Sequence, residues 1–319
     1  MYAEGREDEF VLRRVSLWVG KRKVENIEIG LMVGSTRIES GAQPLAMLGP
    51  AHLTPETDAE VDTPSFIGQL VSAGLISQAS FSVHASELYV GINGRLVLGE
   101  DLRKTRNLTF FPLTTASWTK SPSAIAASAV RVRVPSEEDE MMEFSHVPQD
   151  RLELIIDTGA DATVVPKKVF AMIWEALEWE LGDDRTANRS ELSHSIQLDE
   201  VDAFVDINGW IWFHTSVMDE LPVIAIDIDT ETTLEMHLSQ HVQVCRGEWC
   251  RLLVTDKLPF DNALDVFILG CPFFTEHDVH VDFNRGVAGF AAPEEPVVNT
   301  ITSLETWNRI HRPLCRRRP

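Results

Sequence analysis

Apolar and polar positions alternate in short runs along most of this chain, the period expected of half-buried strands. Phe10-Val11-Leu12, Val15 to Val19 and Val24 to Val33, with a turn at Gly20 to Lys23, predict successive antiparallel strands. Phe81 to His84 alternates in the same way, and Tyr89 to Ile92, Asn93-Gly94 and Leu96 to Leu98 predict a hairpin with its turn at Asn-Gly. Ala124 to Val134, Val201 to Val205, Trp210 to Phe213, Val223 to Ile226, Leu252 to Val254, Phe267 to Leu269, Val279 to Phe283 and Val287 to Ala291 continue the pattern. Two stretches break it with helical spacing. Phe66, Ile67, Leu70, Val71 and Leu75 follow Thr63 as N-cap and Pro64 at the first helical position. Val169, Phe170, Ile173, Ala176 and Leu177 lie between Pro166, which opens a helix, and Gly182, which ends it. The prediction is a mostly β chain with its two clearest helices near 64–75 and 166–181. Residues 40–50 form a Gly/Pro-bounded apolar passage, 52–62 a polar loop, and 136–143 an acidic solvated loop.

One stretch carries candidate chemistry. In Leu154-Ile155-Ile156-Asp157-Thr158-Gly159-Ala160-Asp161-Ala162-Thr163-Val164-Val165-Pro166, apolar β-formers deliver an Asp into a Thr-Gly turn and a second apolar pair follows. A surface β-turn is the plain reading, since Asp and Gly are common turn residues. The flanking apolar runs instead predict a partly buried carboxylate. Gly159 would let the chain double back, and turn amides together with the Thr158 hydroxyl would hold Asp157 ionised and fixed.

Composition narrows the classes. The 319 residues are 44% hydrophobic, enough for a substantial core in one large domain or two lobes. Lys and Arg number 28 against 49 Asp and Glu, a net charge of −21. That sign disfavours nucleic acid and anionic membrane surfaces as partners, and it suits either work in acid or simple solubility. No apolar run approaches the length of a membrane span, and the acidic N-terminus does not read as a secretory signal. Asn107-Leu108-Thr109 and Asn188-Arg189-Ser190 are glycosylation sequons that matter only in a secreted chain. Cys245 and Cys250 flank a short turn and are either a local disulfide or two reduced thiols. Together with His237 and His241 they could also ligate zinc, but strand-like alternation from His241 to Cys245 spreads those side chains over opposite faces. No metal and no cofactor is expected.

Three stretches taken in order resemble the pepsin family of bilobal aspartic proteases, particularly its fungal branch. They are Thr63 to Ile76 with Phe81-Ser82-Val83, then Leu154 to Pro166, and finally Phe267-Ile268-Leu269-Gly270-Cys271-Pro272-Phe273-Phe274 continuing through Val281-Asp282-Phe283 to Gly289-Phe290-Ala291. The resemblance implies a mostly β, bilobal pepsin-like acid protease fold with a peptide cleft, and a protein or peptide as substrate. Each lobe of such a fold gives one Asp from an Asp-Thr/Ser-Gly turn. The two share a proton, one activating water and the other protonating the peptide carbonyl. Here Asp157 would be the catalytic residue, with Thr158 and Gly159 supporting it.

The sequence departs from that family in one large respect. Asp157-Thr158-Gly159 is its only Asp-Thr-Gly or Asp-Ser-Gly. Matched backwards from Thr63, residue 1 falls after the place of the family's first Asp and flap tyrosine, and neither Tyr2 nor Tyr89 has flap context. The expected organisation is therefore an incomplete amino lobe at 1–115, a carboxy lobe at 116–291 and an irregular tail at 292–319. Met47 stands where the family has a glycine beside its active-site loop, while Leu269-Gly270 keeps the carboxy-lobe counterpart. Ala160 replaces the usual hydroxyl residue, as in retroviral relatives. Three functions follow: an aspartic endopeptidase by resemblance, inactive as this chain; a non-catalytic peptide-binding β module; or a homodimeric protease lending one Asp157 per chain, disfavoured because the amino-lobe remnant would occupy the partner's place. The resemblance implies an extracellular or vacuolar location for a complete form.

Overall fold

The computed structural model describes residues 8–35, 65–88, 91–99, 108–115, 123–134, 143–146, 152–187, 201–257, 266–293, 297–299 and 302–303. Among these, strand is the majority element and helix a small minority, as the alternation predicts. Residues 40–62, Thr63, Pro64, Met47, Tyr2, Tyr89, both sequon asparagines and Arg316 to Arg318 lie outside the described set.

The first described residues form a long antiparallel ribbon, β1 (Asp8–Val19) and β2 (Arg22–Ser35), turning at Gly20 with φ 59°. Helix α1 (Phe66–Ser72) packs Leu70 against Val24 and Ile27 of that ribbon. Its N-cap is Ser65, whose hydroxyl accepts from the Gly68 amide. Gln69 adds a paired contact: Glu28 N–H donates to its side-chain oxygen at 2.7 Å, and its Nε2 donates to the Glu28 carbonyl at 3.0 Å.

β3 (Ser80–Leu88) and β4 (Ile92–Leu98) form a hairpin, but not the one expected. Asn93-Gly94 lies inside β4, and Gly94 sits opposite Ala85 beside a bulge. A Cβ on Gly94 would stand 2.1 Å from the His84 carbonyl oxygen, so its glycine serves a close backbone approach rather than a turn. Ala124 to Val134 is likewise split at Ser128 into β6 (Ala124–Ala127) and β7 (Ala129–Arg133), which join different sheets.

One six-stranded sheet runs β22 (Val298–Asn299), β3, β20 (Asp278–Asp282), β21 (Val287–Ala291), β5 (Thr109–Pro112), with β4 on β3. It thus joins strands from both sides of residue 115. β22 and β23 (Thr302–Ser303) both pair with other strands, so the tail expected to be irregular contributes two short ones. A four-stranded sheet holds β7, β8 (Glu143–His146), β14 (Val223–Asp227) and β15 (Thr233–His237). Another six-stranded sheet runs β11 (Thr186–Ala187), β12 (Ala203–Val205), β13 (Ile211–His214), β17 (Trp249–Leu252), β16 (Val242–Arg246), β23. Among the described residues no closed barrel is found.

Helix α2 (Lys167–Leu181) covers the core with Val169, Met172, Ile173, Trp174, Ala176 and Leu177. Pro166 is its N-cap, and Gly182 ends it at φ 92°, a backbone state that a side chain would strain. The largest buried cluster includes these residues with Phe213, Phe267, Phe273 and Phe274.

Candidate active site

The Asp157 turn sits at the end of a five-stranded sheet ordered β18 (Val254–Thr255), β10 (Thr163–Val164), β19 (Phe267–Leu269), β9 (Leu152–Ile156), β6. β9 and β19 run parallel with Ile156 beside Leu269, and β10 returns antiparallel to β19 with Val164 beside Ile268. Leu154, Ile155, Val165, Phe267 and Leu269 are all buried, which pins both ends of the turn. The two apolar runs flanking Asp157 in the sequence therefore do what their pattern predicts.

Between those strands the turn is tied down by backbone bonds. Asp157 N–H donates to the Leu269 carbonyl at 3.2 Å, and Cys271 N–H donates to the Ala160 carbonyl at 2.8 Å. Gly270 lies flat against the turn. A Cβ there would stand 2.2 Å from the Ala162 carbonyl oxygen and 2.8 Å from that of Ala160, so only glycine fits.

Asp157 is half-buried, and the Gly159 amide donates to its Oδ1 at 2.8 Å. Gly159 is not in the left-handed region, contrary to the expectation that it frees the backbone. Its glycine matters through proximity, since a Cβ would come within 3.2 Å of Asp157 Oδ1. Thr158 is exposed, and the contact seen at this residue is through its carbonyl, which accepts from the Cys271 thiol at 3.5 Å. Burial pushes the Asp157 carboxyl above its ordinary value, against the Gly159 amide that lowers it, and the charge of Asp161 adds to the upward push. One turn amide does hold the carboxylate as expected, but desolvation outweighs its downward effect.

Two neighbours were not singled out in the sequence. Asp161, exposed and four residues on, is close enough to raise Asp157. Cys271, directly after Gly270, is buried and its thiol is pushed up to about 12 by burial and then by Asp161 and Asp157. It is thus an un-ionised filler under the turn rather than a nucleophile. The position after an apolar strand and a close-packed glycine is the one sequence signal for Cys271; nothing in sequence spacing shows its contact with Thr158.

The zinc reading does not survive. Cys245 and Cys250 are cross-strand neighbours in β16 and β17 and form a disulfide. His237 and His241 both turn to Glu276 instead. Among the described residues no group of His, Cys, Asp and Glu could hold a metal ion, and no helix is long and apolar enough to cross a membrane.

No protein-family model matches the sequence, and no curated protein matches it. Among solved structures, the chain is similar to an aspartic proteinase from Irpex lacteus, with a TM-score of 0.62 at 19% identity over 88% of this chain and 76% of that one. At that identity the likeness is one of fold, and the chain has a mostly β, pepsin-like fold.

Proposed function

We propose that this chain carries one half of an aspartic peptidase site, binding a peptide segment along the Asp157 turn without hydrolysing it as the 319-residue chain. The observation that carries the reading is the half-buried Asp157 carboxyl, raised by burial and held by the Gly159 amide in a turn that Gly270 and Cys271 brace from below. The fold shared with an aspartic proteinase supports a peptide or protein as the bound molecule.

Hydrolysis by this chemistry needs two carboxyls on one water, one to take its proton and one to give a proton to the carbonyl. Among the described residues, the carboxylate whose charge acts on Asp157 is Asp161, exposed on the same turn. It is attached four residues along the same turn, and its charge raises Asp157. Asp157 alone can polarise a water but cannot supply both proton transfers, and losing one of two groups that act as a unit costs about as much as losing both. The test is hydrolysis of a protein substrate from acid to neutral pH, with Asp157→Asn as control. The proposal expects equal, background rates. Hydrolysis that Asp157→Asn abolishes would refute it.

A further inference from the structure

At the end of the segment that bonds to the Asp157 turn, and using none of the turn's groups, is a carboxylate gripped by two histidines. Glu276 follows the short 3-10 helix Cys271–Thr275 that braces the turn. His237 Nδ1 lies 2.6 Å from its Oε2, and His241 Nε2 lies 3.2 Å from its Oε1. The His237 amide donates to both oxygens at 3.0 Å. The side chain of Glu276 is 13% exposed, that of His241 0% and that of His237 51%.

These contacts join the two supports of the turn. On one side, the segment ending in Glu276 begins with Gly270 against Ala160 and Ala162, and Cys271 N–H bonds to the Ala160 carbonyl. On the other, the His241 carbonyl accepts from Leu253 N–H at 2.8 Å, and the Leu253 carbonyl accepts from Thr163 N–H at 3.0 Å. Thr163 is the first residue of β10, just past the turn. Glu276 is thus the bridge from the 271–275 segment to the His241–Leu253–Thr163 chain of hydrogen bonds.

We propose that Glu276, His237 and His241 form an acid-released clamp that holds the two supports of the Asp157 turn together. While ionised, the carboxylate accepts from a backbone amide and two rings, contacts that are strong because one partner is charged. A proton on either oxygen turns an acceptor into a donor facing N–H groups, and the grip fails. Burial alone would raise the Glu276 carboxyl, but the hydrogen bond and charge of His241, with the amide and ring of His237, hold it below its ordinary value of 4.5. A carboxyl lowered on folding contributes stability above its unfolded value and loses it as pH falls through the folded one. The remaining groups facing Glu276 do not replace the carboxylate. His277, the next residue, turns its Nε2 to the Glu235 carbonyl at 2.8 Å, and the Glu235 carboxylate pairs with Arg133 at 2.8 Å. The clamp is a property of the fold and stands whether or not Asp157 handles peptides.

The experiment is amide hydrogen exchange, corrected for intrinsic rate, at neutral pH and at several acid values. The reporters are Cys271, Leu253 and Thr163, with Val279 and Val281 in β20 as reference. In the unaltered chain the reporters should lose at least about tenfold in protection on acidification while the β20 amides keep theirs. In Glu276→Gln the reporters should be poorly protected already at neutral pH and change little in acid. His237→Gln, at a half-exposed ring, should lose reporter protection at a higher pH than the unaltered chain, and it decides the matter if Glu276→Gln does not fold. Reporters that stay protected in acid would overturn the proposal. So would reporters that open only together with β20, or a folded Glu276→Gln, or failing that a His237→Gln, with the unaltered profile.

Discussion

Around Asp157, individual residues act mainly through close approach. Gly159 leaves room for the carboxylate it donates to, and Gly270 leaves room for the carbonyls of Ala160 and Ala162. Replacing Gly270 with Ala would force a methyl group to within 2.2 Å of a carbonyl oxygen, so the turn or β19 must shift. We expect a loss of about 1–3 kcal/mol in urea unfolding, and an unchanged midpoint would show that the turn yields freely. Asp157 was legible in the sequence because apolar runs on both sides forecast its partial burial. Its electrostatics were not: they depend on how far desolvation exceeds the help of one amide, and on the proximity of Asp161. Cys271 reaches Thr158 across 113 residues of chain, a contact that no local pattern encodes.

At the scale of elements, periodicity was a sound guide to type and a poor one to boundaries. Helix α2 was readable because Pro166 and Gly182 mark both ends of a single apolar face. Asn93-Gly94 misled because the same dipeptide serves a type of tight turn and a bulged strand equally well, and the distinction lies in β3 opposite it. Ser128 misled in the other direction: one apolar run passes between two sheets, and the break is set by what each half pairs with. The β16–β17 hairpin carries the Cys245–Cys250 disulfide at a separation of 5 residues, which the sequence left open between bridge and free thiols. A loop of about six residues closed by such a bridge is worth about 2 kcal/mol in the chain-entropy account. The double substitution Cys245→Ser with Cys250→Ser should lower stability by about that amount in denaturant unfolding, and equal midpoints would show that the hairpin is held by its ladder alone.

For the whole molecule, the sheet containing β3, β20 and β21 ties the residues before 115 to those after 266, so the last strands of the fold depend on the first part of the chain. Family resemblance made that order of segments readable; the pairing itself is a long-range fact. The net charge of −21 left acid function and solubility equally open, and the titrating groups sharpen the question. Burial lowers the His277 imidazole below its ordinary value of 6.5, despite the Glu235 carbonyl beside it, and its ring stacks on Phe273 with centroids 4.4 Å apart. Because the folded value is depressed, His277 contributes stability above about pH 6.5, and that contribution is lost as pH falls toward and through the folded value. The stability gap between the unaltered chain and His277→Asn should therefore narrow on acidification in thermal unfolding, and a constant gap would contradict the assignment. The half-site account rests most directly on how Asp157 titrates. A carboxyl sharing its proton with a catalytic partner titrates in two coupled steps that belong to the pair. Carbon-13 NMR of the Asp157 carboxyl in the 319-residue chain should instead show one main step above the ordinary carboxylate value, moving down in Asp161→Asn. Two well-separated steps that persist in Asp161→Asn would reveal a second partner and contradict the account.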